Sequence, residues 1–285
     1  MFETWLPDML QLAAPVGFGI FVWWFSTGLI VLLDHLPRTG VRWSLLASTG
    51  VALAALAGVA ASADLASPAG AYCAFTCALL VWGWHELSFL SGWLTGPRRH
   101  ALPAEVSGWP RLVESVRAIL WHELALIAAF GLIVAITWGG ANPVGWWTFA
   151  VLWVMRTSAK FNLFLGVRNL SEAFLPPQLK YLQSFFRRRA MNLLFPFVVS
   201  AATVVLAWLV LAALAGGATP AARTGLLLVA TLLALAIIEH WLLVLPIEST
   251  ALWRWALRRQ GVAPETSLDT ATAAALAEEK LLHAR

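Results

Sequence analysis

Long apolar runs separated by short polar stretches set the pattern of this chain. A hydrocarbon layer of roughly 30 Å needs about 20 apolar residues per helix. Seven runs meet that length, over approximately residues 10–33, 43–63, 70–94, 115–138, 143–165, 192–216 and 222–247. The pattern predicts an all-α fold, a polytopic membrane bundle of seven transmembrane helices within residues 1–250, followed by a polar tail over 251–285. The first run follows Glu3 and Asp8 and has no short apolar region ending in a small-residue cleavage site, so it is expected to be a retained helix.

Basic residues give the predicted orientation, because positively charged loops stay cytoplasmic. Arg38 and Arg42 follow the first span; Arg98, Arg99 and Arg111 follow the third; Arg168 to Arg189 follow the fifth; and Arg254, Arg258 and Arg259 follow the seventh. Of the 19 Lys and Arg residues, Arg223 alone falls on the other side, which predicts a periplasmic N-terminus and a cytoplasmic C-terminus.

Composition agrees: the chain is 60% hydrophobic and 12% charged, and seventeen tryptophans stand against two tyrosines, as expected where indoles gather at headgroup depth. A pI of about 9.6 invites a nucleic-acid reading, but the basic residues sit in short loops and no nucleic-acid partner is expected. Cys73 and Cys77 lie four apart on one helix and are read as small core residues, since a disulfide there would staple nothing.

The connector between the fifth and sixth spans carries structure of its own. After Pro176-Pro177, residues Leu179, Leu182, Phe185 and Phe186 fall on one helical face, and Arg187-Arg188-Arg189 follow. A short helix near 176–190 lying in the membrane interface is predicted, its arginines reaching lipid phosphates or a protein partner. The tail after Pro264 reads as a small polar helix capped by Asp269 or Thr270.

Candidate chemistry lies in polar pairs inside the apolar runs. Trp84-His85-Glu86-Leu87 recurs as Trp121-His122-Glu123-Leu124, and its core returns reversed as Glu239-His240-Trp241. Counted from the expected span ends at 1.5 Å per residue, all three pairs lie roughly 10–14 Å inside the cytoplasmic boundary, in one layer. A carboxylate at membrane depth costs about 2.5–3.5 kcal/mol on insertion scales, so these six residues should face the bundle interior and find partners.

Two readings account for the layer. His85, Glu86, His122, Glu123, Glu239 and His240 could ligate iron, zinc or manganese, since imidazole and carboxylate are their usual mixed ligands; one or two of the histidines could instead hold the metal of a tetrapyrrole. Alternatively, Arg156 and Lys160, i and i+4 on the fifth span with Asn162 nearby, neutralise the glutamates in a buried ion network. In the first reading the same two cations hold the acidic end of a substrate. Asp34-His35, at the mouth of the first span, is read as a solvated helix end.

Several stretches carry a family likeness: residues 82–90 (WGWHELSFL) with 95–99 (TGPRR), 152–167 (LWVMRTSAKFNLFLGV), 25–28 (FSTG), and 185–189 (FFRRR) with 191–196 (MNLLFP). Over roughly residues 25–245 the chain resembles the PuhE family of photosynthetic complex assembly proteins. The resemblance implies a multi-pass protein of the inner (intracytoplasmic) membrane of purple phototrophic bacteria. Its expected partners are reaction-centre and core-antenna subunits or pigment-pathway proteins, together with membrane lipids. The expected function is assembly of the photosynthetic reaction centre and core light-harvesting complex, through direct contact or bacteriochlorophyll supply. The alternative is a membrane metalloenzyme, an iron-dependent oxidoreductase acting on a tetrapyrrole or another lipid-soluble substrate.

Overall fold

A computed structural model describes residues 2–34, 36–170, 172 and 175–247, with the side chains of 2–10 and of Arg38 outside the description. The expectations for His35 and for the tail over 251–285 also lie outside the described residues. Among those described, the chain forms α1 (Phe2–Asp34), α2 (Arg38–Ser62), α3 (Pro68–Leu90), α4 (Gly108–Ile136), α5 (Val144–Leu165), α6 (Leu194–Leu214) and α7 (Pro220–Val244), with a 3-10 helix over Pro177–Phe185 between α5 and α6. Six of the α-helices are long and apolar enough to cross a membrane. The exception is α5, whose 22 residues suffice in length but carry Arg156, Lys160 and Asn162 in their second half.

Helix α3 is the hub, packing against α2, α5, α7 and α1, while α7 packs against α6, α1, α3 and α5. Burial follows this order: 61% of the apolar window of α3 and 50% of that of α7 is buried, against 17–22% in α1, α2, α4 and α6, so the outer helices turn most of their surface to lipid. Association of helices in lipid rests on close packing rather than on hydrophobic drive. At Gly225 of α7 a Cβ would stand 2.5 Å from Val144 Cγ2 of α5, so a larger side chain would force these helices apart. Phe75, Val144, Leu228 and Leu232 form the core around that contact.

The ends of α3 and α4 differ from the sequence-based spans for local reasons. Helix α3 stops at Leu90 because Gly92 takes a positive φ of 76° and Gly92 N–H turns back to Phe89 O, with Trp93 and Leu94 N–H both reaching Ser88 O. The chain then folds back along α4: Arg98 N–H bonds Arg117 O at 3.4 Å and His122 N–H bonds Thr95 O at 2.9 Å. Gly96 makes this approach possible, since a Cβ there would lie 2.0 Å from Arg117 O. Helix α4 accordingly starts at Gly108, seven residues before the expected span.

The connector after α5 also departs from expectation. It forms a 3-10 helix, in which residues three apart align, and Leu179, Leu182 and Phe185 are buried against Phe89 and Ala118 instead of facing lipid. Asp34, expected in solvent, is 3% exposed, and Cys73, expected in the core, is exposed while Cys77 packs near Gly58.

Candidate functional site: a polar cluster around α5

Helix α5 sits among α3, α4 and α7, so its polar half can meet groups from all three. Arg156 Nη2 lies 3.3 Å from Glu86 Oε2 of α3, and Lys160 Nζ lies 2.6 Å from Glu123 Oε1 of α4. Residues i and i+4 share a helix face, so one stripe of α5 receives the glutamate of each Trp-His-Glu-Leu copy. The ammonium of Lys160 also lies 5.6 Å from the centre of the Phe89 ring, and part of its charge faces an aromatic surface.

The third carboxylate is held differently. Glu239 Oε1 accepts from Trp23 Nε1 of α1 at 3.1 Å. Its neighbour His240 is 2% exposed and bonded at both ring nitrogens. Nδ1 lies 2.8 Å from Ala236 O, which can only accept, so this nitrogen carries the proton and Nε2 accepts from Ser158 Oγ at 3.0 Å. Asn162 Nδ2 donates to Ser158 O and, at 3.4 Å, to Ser158 Oγ, and Asn192 Nδ2 donates in turn to Asn162 Oδ1 at 2.9 Å. The polar chain therefore runs from the start of α6 through α5 to α7.

His85 follows the same logic, its Nδ1–H reaching Val81 O at 2.9 Å one turn back on α3. His122 does not. It is fully buried, its ring 4.5 Å from that of Phe89, and neither nitrogen meets a hydrogen-bond partner among the described residues. Of the six residues expected in one layer, Glu86, Glu123 and His240 thus meet side chains of α5, while Glu239 accepts from α1, His85 bonds its own helix and His122 has no hydrogen-bond partner among the described residues. Among the described residues no three His, Cys, Asp or Glu side chains form a group able to hold a metal ion. Both cations expected to steer an acidic substrate are engaged by glutamates.

The arginine run 187–189 is tied to the end of α5: Val167 N–H bonds Arg187 O, Arg189 N–H bonds Val167 O, and Arg188 pairs with Glu172 at 3.7 Å. Two residues not foreseen as site members organise this end. Arg111, 5% exposed, lies 3.9 Å from the centre of the Phe164 ring and donates to the carbonyls of Phe164 and Phe185. Asn192 bridges Asn162 and Gly166 O while its Oδ1 accepts from Leu194 and Phe195 N–H at the start of α6. An Asn just before an apolar run is a capping signal, so Asn192 could have been found in the sequence; the burial of Arg111 had no such signal.

A cavity of about 320 Å³ opens beside this cluster, bounded by α1, α3, α5 and α7, and Glu86, Arg156, Glu239 and His240 all reach its wall.

An all-helical bundle with several apolar spans and a polar cluster inside defines a multi-pass helical membrane protein. Residues 9–263 match the family described as "Protein of unknown function (DUF3623)", and the chain belongs to that family. It is 42% identical over 243 residues, covering 84% of this chain and 88% of the relative, to a Rhodobacter capsulatus protein described as "Uncharacterized 30.4 kDa protein in puhA 5'region". No solved structure shows a significant match to the chain.

Proposed function

We propose that this protein is an inner-membrane factor serving assembly of the photosynthetic reaction centre and core light-harvesting complex. It would act as a seven-span bundle with its polar cluster toward the cytoplasmic side. The observation that carries the reading is the 42% identity, over most of both chains, to a protein described as lying in the puhA 5' region. The stretches WGWHELSFL and LWVMRTSAKFNLFLGV, which resemble the PuhE family, support it. They also contain Glu86, Arg156 and Lys160, so the likeness covers the Glu86–Arg156 pair and the α5 side of the Lys160–Glu123 pair.

The geometry favours a non-catalytic factor over a metal-dependent oxidoreductase. The ligand set of an oxidoreductase would need Glu86 and Glu123, and both are paired with α5 cations, while His240 is bonded at both nitrogens. The engaged carboxylates fix how α3 and α4 sit on α5, and the outer helices are left to meet partner subunits and lipid. Arg187, Arg188 and Arg189 form the corresponding contact to partners or lipid headgroups at the membrane surface.

The test is an in-frame deletion in a phototrophic host carrying the gene, complemented in trans. Reaction-centre and core-antenna absorption of the isolated membranes should fall in the deletion strain and return on complementation. Unchanged absorption in the deletion strain would overturn the reading.

A further inference from the structure

The three arginines after the 3-10 helix form one run in the sequence, but the fold divides them. The chain is extended at Phe186 (φ −81°, ψ 152°). Arg188 then pairs with Val167 as an isolated parallel bridge, in which Val167 N–H bonds Arg187 O and Arg189 N–H bonds Val167 O. Side chains alternate along an extended chain, so Arg187 and Arg189 take one side and Arg188 the other. Arg188 lies 3.7 Å from Glu172. Arg187 and Arg189 instead stand near Arg111 of α4, close enough for their like charges to act on it. The stem of Arg189 runs over Gly166, where a Cβ would lie 2.8 Å from both its Cγ and its Cδ, so the end of α5 admits this side chain because position 166 carries none.

Nothing on the protein neutralises this group of charges. Among the described residues no carboxylate pairs with Arg111, Arg187 or Arg189. Glu114, one turn after Arg111 on α4, is held by Arg98 at 2.6 Å and Arg117 at 3.0 Å. The carbonyl end of α5 does not consume the charge either: Phe164 O is served by Arg111 and Leu163 O by the backbone N–H of Arg187. Like charges drawn together repel, and an anion placed among them turns that repulsion into attraction. Guanidinium matches phosphate in geometry as well as in charge.

Depth and surroundings select the source of the anion. Helix α6 has 21 residues, about 31 Å at 1.5 Å per residue, enough to cross a hydrocarbon layer of roughly 30 Å. The arginines just before it therefore stand at headgroup depth. From that point Leu193, Phe197, Val204, Trp208 and Leu211, all more than half exposed, run as one apolar stripe down α6. A phosphate that brings its own acyl chain suits this arrangement better than a soluble anion. A headgroup ending in an ammonium would add one more cation to three.

We propose that Arg187 and Arg189 hold the phosphate of an anionic phospholipid, with Arg111 behind them adding its charge and an acyl chain lying along α6. The inference names the ligand of the surface contact assigned above to residues 187–189 and rests on that part of the reading. It is tested on the purified protein, so its failure is distinct from the outcome of the deletion.

Native mass spectrometry of the full-length protein in detergent, titrated with phosphatidylglycerol or with phosphatidylcholine of the same acyl chains, reads the two affinities. Phosphatidylglycerol should bind roughly tenfold more tightly, the ratio expected of two arginines facing a net negative headgroup. Arg187→Gln combined with Arg189→Gln should bring the ratio toward one. Arg188→Gln should lower it far less than Arg189→Gln, because the Arg188 charge is turned away toward Glu172. Arg189→Gln alone, at an exposed position, serves if the double variant fails to fold. Inorganic phosphate at millimolar concentration and constant ionic strength should not displace the lipid. Equal binding of the two lipids would overturn the proposal, as would a loss in Arg188→Gln as large as that in Arg189→Gln. Displacement by inorganic phosphate would also overturn it, marking a site for a free anion.

Discussion

On α3, Trp84 bonds Thr49 of α2 at 2.8 Å, His85 bonds the carbonyl of Val81, and Glu86 reaches Arg156. On α4 the same four residue types give an exposed Trp121, a His122 with both nitrogens unpartnered among the described residues, and a Glu123 held by Lys160. The glutamates behave alike because both helices flank α5, whose cations stand one turn apart. The histidines and tryptophans differ because α3 is enclosed on several sides while α4 turns much of its surface outward. The shared tetrapeptide encodes one common interaction, that of its carboxylate with α5, and local packing decides the rest.

The largest expected effect comes from breaking the support of the α4 copy. Gly96→Val would place side-chain atoms against the Arg117 carbonyl and detach the segment that accepts the His122 N–H. The expected cost is about 3 kcal/mol, read as a fall in thermal midpoint in detergent, whereas Gly131→Ala, in open space on the same helix, should leave the midpoint near that of the parent. Next comes Lys160→Met, which strands Glu123. Removing one partner of a fully buried pair costs about 3–5 kcal/mol, and with each side chain here roughly one-fifth exposed about 2 kcal/mol is expected.

Smaller substitutions sharpen the contrast between the two histidines. His85→Leu loses a satisfied hydrogen bond and should cost about 1 kcal/mol, while His122→Leu removes two buried nitrogens that have no partner among the described residues and should be neutral or stabilising. A large loss at His122 in the same melting experiment would mean that its nitrogens serve something beyond packing. The smallest effect is expected for Ser158→Ala, which removes the bond to His240; interhelical hydrogen bonds in membranes average about 0.6 kcal/mol.

Much of the fold is legible in the hydrophobic pattern, because seven apolar runs of membrane length leave few alternatives to helices. α5 begins and ends within a residue of its predicted run, α6 and α7 start within two residues of theirs, and α2 starts five residues early. The ends of α3 and α4 were not legible, because they depend on Gly92 adopting a positive φ and on Gly96 lying against α4, a long-range contact with no periodic signal. In the polar layer, residue type and depth foretell that Glu86, Glu123, Arg156 and Lys160 belong together. Which oxygen meets which cation, and that His240 turns to Ser158, follows from helix rotation, which adjacency in sequence leaves undetermined. The spacing of Leu179, Leu182 and Phe185 suited a 3-10 helix as well as an α-helix, and burial against Phe89 favoured the former.

Thermal unfolding in detergent of the charge-exchanged pair Glu123→Lys with Lys160→Glu tests the role of α5 most directly. If α5 takes up the carboxylate of each copy by direct ion pairing, either single exchange lowers the midpoint sharply and the double exchange recovers most of the loss. A double exchange as unstable as the two single losses added together would show that the charges at 123 and 160 do not interact, and would contradict the account.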